Sequence, residues 1–214
     1  MVELDDQVAA VWLTILHGDA EWLADRLISF VLSPGNVQEE LSKSATSTRE
    51  KAFQTLLRNR INHGGILAPG SGLIKHGENG KGLGSRWYPA TLRRRILDIA
   101  SIRDRMTFVQ GDGMEILMEN ASRSNVAFFL DPPYTAAGKK AGTRLYSCYE
   151  LDHAELFRIA DTLCGDFLMT YDNAAGVMDL AGLHGFDTRV IPMKNTHHAK
   201  MTELLIGRRL GWAR

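Results

Sequence analysis

Residues Phe128-Phe129-Leu130-Asp131-Pro132-Pro133-Tyr134 form an apolar run that stops on Asp-Pro-Pro-Tyr. Two consecutive prolines donate no ladder hydrogen bonds, and their fixed φ forbids a helix, so a strand predicted over 126–130 ends at Leu130. Pro132 also pushes Asp131 into extended backbone. The expected product is a stiff turn at the carboxyl end of a buried strand, where open α/β sheets bind ligands. It offers a carboxylate, backbone carbonyls and one aromatic ring. That set suits a planar base bearing an exocyclic amine: carboxylate and carbonyl accept the N–H groups, and the ring stacks on Tyr134. The same residues also make a plain proline turn after a core strand.

The elements that must position this turn alternate along the chain. Asp5–Leu16 carries Val8, Val11, Trp12 and Ile15 as a helical stripe. Asp19 is placed to cap a second helix running to about Phe30, and Ser33-Pro34-Gly35-Asn36 reads as a break. A helix is predicted over Glu50–Ile61, and the glycine-rich text from His63 to Ser85 predicts loop. Pro89–Ala100 is a helix with proline in its first turn. Then follow strand Met106–Gln110, helix Gly113–Asn120, strand Val126–Leu130, helix Asp152–Leu163, strand Phe167–Tyr171 and helix Ala174–Leu183. Phe186–Met193 and Thr202–Arg208 are apolar runs that predict an antiparallel hairpin. The alternation points to α/β class with a doubly wound sheet.

At 214 residues the chain fits one large domain, or one domain with an insertion. A hydrophobic content of 44% is enough for a core. There is no apolar run of about 18 residues and no signal-peptide pattern. Cys148 and Cys164 are too few for a disulfide framework and lack metal spacing, so a reducing cytoplasm is expected. His197-His198 with His184 or His63 do not form a ligand set for a metal. Trp12, Trp22 and Trp87 are expected in the core. Net charge is zero, but its distribution is uneven. Residues 1–42 hold eight acids and one base; residues 43–105 hold thirteen bases and four acids. Positive charge gathered in the middle third is the footprint of a nucleic-acid partner. A solvated helix face is the other reading, and it suits Arg93-Arg94-Arg95, since three adjacent helical positions cannot all face one ligand.

The turn Asp131–Tyr134 resembles the catalytic motif of S-adenosylmethionine-dependent amino-methyltransferases that act on nucleobases. Flanking text narrows the resemblance to the Dam-like DNA N6-adenine methyltransferases. Similar features are Val2-Glu3-Leu4-Asp5-Asp6 opening a helix, Arg58-Asn59-Arg60-Ile61-Asn62-His63-Gly64-Gly65, and Phe108-Val109-Gln110-Gly111-Asp112. The tail Met201-Thr202-Glu203-Leu204-Leu205-Ile206 is similar to the family's closing strand. The resemblance spans essentially the whole chain, strongest over 106–134 and near 203, weakest between 66 and 85.

What the resemblance implies is a Rossmann-like methyltransferase sheet with a C-terminal antiparallel hairpin. Residues 1–16 and 91–214 would form the catalytic domain, and 17–90 a mainly helical insertion that reads the target. The partner would be double-stranded DNA and the cofactor S-adenosylmethionine. Asp131, Pro132 and Tyr134 would be catalytic; Glu3, Asp112 and Asp131 would face the cofactor. Asp112 can equally cap the helix from Gly113, and Glu3 is otherwise an ordinary acid near a chain end. Arg58, Arg60, Lys139, Lys140 and Arg144 would contact nucleic acid, the last three around a flipped nucleotide or else as a surface charge run. Tyr146 and Tyr149 offer a second stacking face or simple packing.

One departure stands out. The family's first strand and its glycine-rich loop, which holds the methionine part of the cofactor, have no counterpart before Glu3. Gly80-Lys81-Gly82-Leu83-Gly84 has no apolar strand leading into it and is expected to be a loop. The expectation is an N-terminal truncation or a second chain that completes the cofactor site, with weak cofactor binding by these 214 residues. Two alternatives remain at this point: an RNA base amino-methyltransferase, and a non-catalytic remnant that binds DNA or a partner.

Overall fold

Five helices and two short strands make up the first half of the chain, and a sheet flanked by helices makes up the second. The computed structural model describes residues 1–77, 80–133, 151–194 and 200–213. Residues Met1–Gly111 form one compact unit and Asp112–Arg214 another.

In the first unit, β1 (Val2–Glu3) leads into α1 (Asp6–Leu16). The Asp5 carboxylate caps α1 by accepting from the amides of Gln7 and Val8 at 2.8 and 3.1 Å. Next come α2 (Ala20–Ser29) and α3 (Pro34–Ser42). The predicted break at Ser33-Pro34 is in fact the start of α3. The Ser33 hydroxyl accepts from Asn36 N, and Pro34 sits in the first turn, where its missing N–H leaves no bond unmade. Helix α4 (Thr48–Ile61) begins on a Ser47 cap, and α5 (Pro89–Ser101) begins on proline. The strand expected from Met106 is shorter: β2 covers Val109–Gln110, because its partner β1 has only two residues. The two run parallel, with Val2 opposite Val109 and Glu3 opposite Gln110.

One core joins these helices. Ile15 and Leu16 of α1, Leu23 and Leu27 of α2, Phe53 and Leu57 of α4, and Leu92 and Ile96 of α5 bury together. Each such side chain contributes about 1.5–3 kcal/mol by leaving water. Helices assigned to residues 17–90 therefore share a core with α1 and α5. The three tryptophans singled out above take part in packing. Trp12 stacks on Phe108, Trp87 meets Phe30 edge-on, and Trp22 carries the Arg49 guanidinium on its face. Between α4 and α5 the described backbone is irregular, with short 3-10 turns at His63–Gly65 and Gly82–Arg86.

The second unit opens with α6 (Gly113–Glu119) and β3 (Ala127–Leu130), then α7 (His153–Thr162), β4 (Asp166–Asp172), α8 (Ala175–Leu183), β5 (Asp187–Lys194) and β6 (Lys200–Gly207). Its sheet has the order β3-β4-β6-β5. Strands β3 and β4 are parallel, while β6 runs antiparallel to both of its neighbours and forms the expected hairpin with β5. Period-two alternation puts Phe167, Met169 and Tyr171 of β4 into the core with Phe157, Leu204 and Ile206. Gly165 is required before β4, because a Cβ there would strike the Val126 carbonyl. The Arg208 guanidinium lies over Phe167 and donates to the carbonyls of Ala160, Asp161 and Leu163, closing the end of α7. Strand β3 was expected to be buried. It is instead the edge strand of this sheet, and Phe129 is 67% exposed. The architecture is thus mixed α/β: among the described residues, eight α-helices, a two-stranded parallel sheet and a mixed four-stranded sheet. No helix among them is long and apolar enough to cross a membrane.

Candidate functional site

The register of β3 on β4 decides what meets Asp131. Leu130 lies opposite Met169, so the next residue outward, Asp131, comes beside Thr170. The Thr170 hydroxyl donates to Asp131 Oδ1 at 2.5 Å, a short bond of the kind a carboxylate acceptor gives. Met169 and Tyr171 point into the core, so alternation sends Thr170 to the half-exposed face. Pro132 and Pro133 follow half-buried. Tyr134, Lys139, Lys140, Arg144, Tyr146 and Tyr149 lie outside the described residues, as do His197 and His198.

This end of the sheet is rich in acceptors. Asp172 stands directly opposite Glu203 on β6, and the Asn173 amide donates to the Thr202 hydroxyl at 3.1 Å, tying the end of β4 to β6. Three carboxylates, from Asp131 just past β3, Asp172 at the end of β4 and Glu203 opposite it within β6, therefore lie on three adjacent strands. Beneath them, the Tyr171 hydroxyl lies 3.0 Å from His153 Nδ1. Burial holds the His153 pKa below its ordinary range, against the opposing pull of Asp152 and Asp172.

Asp112 caps α6, accepting from Met114 N at 2.8 Å, and its side chain is exposed. The capping role left open by the sequence is thus realised. Glu3 ends β1; its Oε1 accepts from Asp5 N at 2.9 Å, and its carbonyl accepts from Gly111 N. A cavity of about 320 Å³ lies in the same unit, lined by Asp6, Leu13, Thr46, Ser47, Lys51 and Gln110 among others. Glu3 does not line it. Among the described residues, no group of three His, Cys, Asp or Glu side chains is placed to hold a metal ion.

Part of the uneven charge of the sequence is taken up by ion pairs within the first unit. Acids of the first 42 residues pair with bases beyond them: Asp6 with Lys51 at 2.9 Å, Asp19 with Arg49 and Asp25 with Arg93 at 3.5 Å, and Glu39 with Lys43 at 2.8 Å. These four cations of the basic middle third therefore already face carboxylates. Arg93 and Arg95, two residues and about 200° apart on α5, serve different neighbours, Asp25 and Arg60 respectively. The two arginines predicted on α4 also part company. Arg58 donates to Gln7 Oε1 of α1 at 3.3 Å. Arg60, two residues and roughly 200° further round the helix, comes near Arg86 and Arg95; burial and those two charges lower its pKa.

Three residues escaped sequence reasoning. Thr170 could have been found by aligning the ends of the two parallel strands, which brings a polar residue beside Asp131. Arg86 and Arg95 carried no local signal, because only tertiary packing brings them to Arg60. Comparison of the chain with models of known protein families gives no match, and comparison with curated proteins gives none.

Proposed function

We propose that the chain is an S-adenosylmethionine-dependent amino-methyltransferase of the Dam-like class, acting on adenine N6 in DNA. The observation that carries the reading is the Asp131 carboxylate, held by Thr170 at the carboxyl end of β3 and followed at once by two prolines. The closing hairpin, with β6 antiparallel to its neighbours, supports a Rossmann-like methyltransferase sheet. Bound S-adenosylmethionine would supply an electrophilic methyl group. The resemblance assigns two carboxylates of the chain to that cofactor. On the resemblance Glu3 and Asp112 are its candidate acceptors, and in each the carboxylate already accepts one backbone N–H.

The work of the chain's own residues follows from the nature of the amine. Adenine N6 is a poor nucleophile because its lone pair is delocalised into the ring. Accepting its two N–H groups, at the Asp131 carboxylate and the Pro132 carbonyl, draws the nitrogen toward tetrahedral geometry and localises that pair. Catalysis is then positioning and electrostatics. Thr170 keeps the carboxylate from turning away. Reaching N6 requires flipping the base out of the duplex, which costs a few kcal/mol, and stacking on Tyr134 returns about 1–3 kcal/mol.

A second reading, a non-catalytic protein that binds DNA or a partner, draws on the capping bonds of Glu3 and Asp112, which account for both acids without a ligand. Methyl-labelled S-adenosylmethionine offered with duplex DNA and with RNA separates the readings. Label in adenine of duplex DNA, lost in Asp131→Ala, supports the proposal. Label in RNA alone favours an RNA amino-methyltransferase, and DNA binding with no transfer favours the non-catalytic protein.

A further inference from the structure

Among the described residues of the first unit, Arg26, Lys43, Arg49, Lys51 and Arg93 face carboxylates, and a group of three arginines near the end of α4 does not. Arg60 leaves the last turn of α4 half-buried, and its Nε is closed off from solvent with no hydrogen-bond partner. Buried polar hydrogens are seldom left so in folded proteins, and an orphan in a native structure calls for an explanation, a bound ion or water among them. Arg86 approaches the same turn. Its guanidinium lies against Gly65, where a Cβ would meet Nη2 at 2.8 Å and Nη1 at 3.0 Å, and its one hydrogen bond is a long one to the Asn62 carbonyl at 3.4 Å. The turn itself is fixed: Asn59 Nδ2 donates to the Gly65 carbonyl at 2.9 Å, Asn62 Nδ2 to that of Ile66 at 2.7 Å, and Gly65 sits at φ +75°. Arg95 reaches the group from α5, close enough for its charge and that of Arg86 to act on Arg60. Among the described residues, none of the three forms an ion pair with a carboxylate.

We infer that Arg60, Arg86 and Arg95, set around the Gly64-Gly65 turn, bind the oxyanion of a phosphate group, either a phosphodiester of the nucleic-acid backbone or a free phosphate. Three guanidiniums without a counter-ion repel one another, and an anion among them removes the repulsion while supplying acceptors. The planar fork of arginine matches phosphate oxygens in pairs. A tetrahedral oxyanion directs oxygens to several sides at once and so serves guanidiniums arriving from α4, α5 and the intervening loop. A carboxylate, with two oxygens in one plane, serves fewer. The inference deepens the nucleic-acid part of the proposed function and does not depend on methyl transfer.

The test uses the full chain and a fluorescently labelled DNA duplex, with affinity measured by anisotropy across a range of KCl concentrations. Arg60→Gln and Arg86→Gln should each weaken binding about tenfold at low salt and reduce the slope of log K against log[salt] by about one. Gly65→Ala removes no charge but displaces the Arg86 head, and should also weaken binding. Arg93→Gln, whose arginine already faces Asp25, should change affinity less than about twofold. Circular dichroism confirms that each variant is folded, and Gly65→Ala keeps the question open to test if Arg60→Gln is not. A second arm compares the melting temperature in inorganic phosphate and in chloride of equal ionic strength. Stabilisation by phosphate that is lost in Arg86→Gln, with DNA affinity unchanged in that variant, assigns the site to free phosphate. Folded Arg60→Gln and Arg86→Gln proteins that match the wild type in both arms overturn the site. A wild type that does not bind DNA overturns the nucleic-acid reading instead, and the phosphate arm still decides whether the arginines hold an anion.

Discussion

Residues 1–111 gather guanidiniums without counter-charges at the end of α4, whereas residues 112–214 gather carboxylates at one end of a sheet. The two groups are positioned by different means. In the sheet, register does the placing: Leu130 opposite Met169 puts Asp131 beside Thr170, and a slip of one residue would turn Thr170 into the core. Among the helices, long side chains converge from α4, α5 and the loop between them, and nothing shorter than the whole packed core brings them together. A site placed by register suits chemistry, which needs a fixed carboxylate. Long arginines gathered by packing suit holding a charged backbone, where small displacements matter less.

The comparison can be broken at either core. Phe53 is fully buried and carries the Arg26 guanidinium 4.8 Å above its ring. Phe53→Ala should cost about 3–5 kcal/mol, read as a fall in the urea midpoint, and should abolish DNA binding by dispersing the arginines. Binding retained in an unfolded or loosened first unit would mean that packing does not assemble that site. Next in size, Asp131→Ala should lower kcat by roughly a hundredfold or more while leaving DNA affinity nearly unchanged, because the carboxylate acts on the transition state. Unchanged turnover would remove Asp131 from the mechanism.

Thr170→Val sharpens the point about register. It keeps the strand shape and deletes the hydroxyl, so kcat should drop about tenfold, the worth of one hydrogen bond of ~1.4 kcal/mol. Thr170→Ser should restore most of it, and a Ser variant as slow as Val would argue against the bond to Asp131. A smaller effect is expected with pH. Burial lowers the His153 pKa from its ordinary value of 6.5, so as pH falls the unfolded chain takes up the proton first. This contribution is complete above about pH 6.5 and is lost as pH drops through that value toward the folded pKa. Urea midpoints at pH 7.5 and 5.5 should differ less in His153→Asn than in the wild type; an equal or larger difference would place the titration elsewhere. Smallest of all, Arg49→Gln breaks an exposed pair with Asp19 and should change stability by about 0–1 kcal/mol.

Legibility in the sequence follows the same division. The end of β3 is readable because Pro132 and Pro133 forbid both strand and helix. The β5–β6 hairpin is readable because two apolar runs flank a polar stretch. Most helix starts announce themselves through Asp5, Ser47, Pro89 and Asp152. Helix α3 does not, since Ser-Pro-Gly-Asn is as good a turn as it is a cap with a first-turn proline. The exposure of β3 is equally hidden, because Ala127–Leu130 is apolar on both faces and reads as a strand covered on both sides. Charge blocks along the chain do not reveal ion pairing: acids of the first 42 residues fold against Lys43, Arg49, Lys51 and Arg93. Arg60 is legible as a candidate, but its meeting with Arg86 and Arg95 is not, because only tertiary packing brings the three together.

The central claim rests on Asp131 acting on an adenine amine, and mass spectrometry of duplex DNA after incubation with S-adenosylmethionine tests it most directly. With S-adenosylmethionine at concentrations that saturate even weak binding, the account predicts N6-methyladenine with the wild-type chain and none with Asp131→Ala at matched DNA occupancy. Equal methylation by both proteins, or none by a wild type that binds both cofactor and DNA, would contradict it.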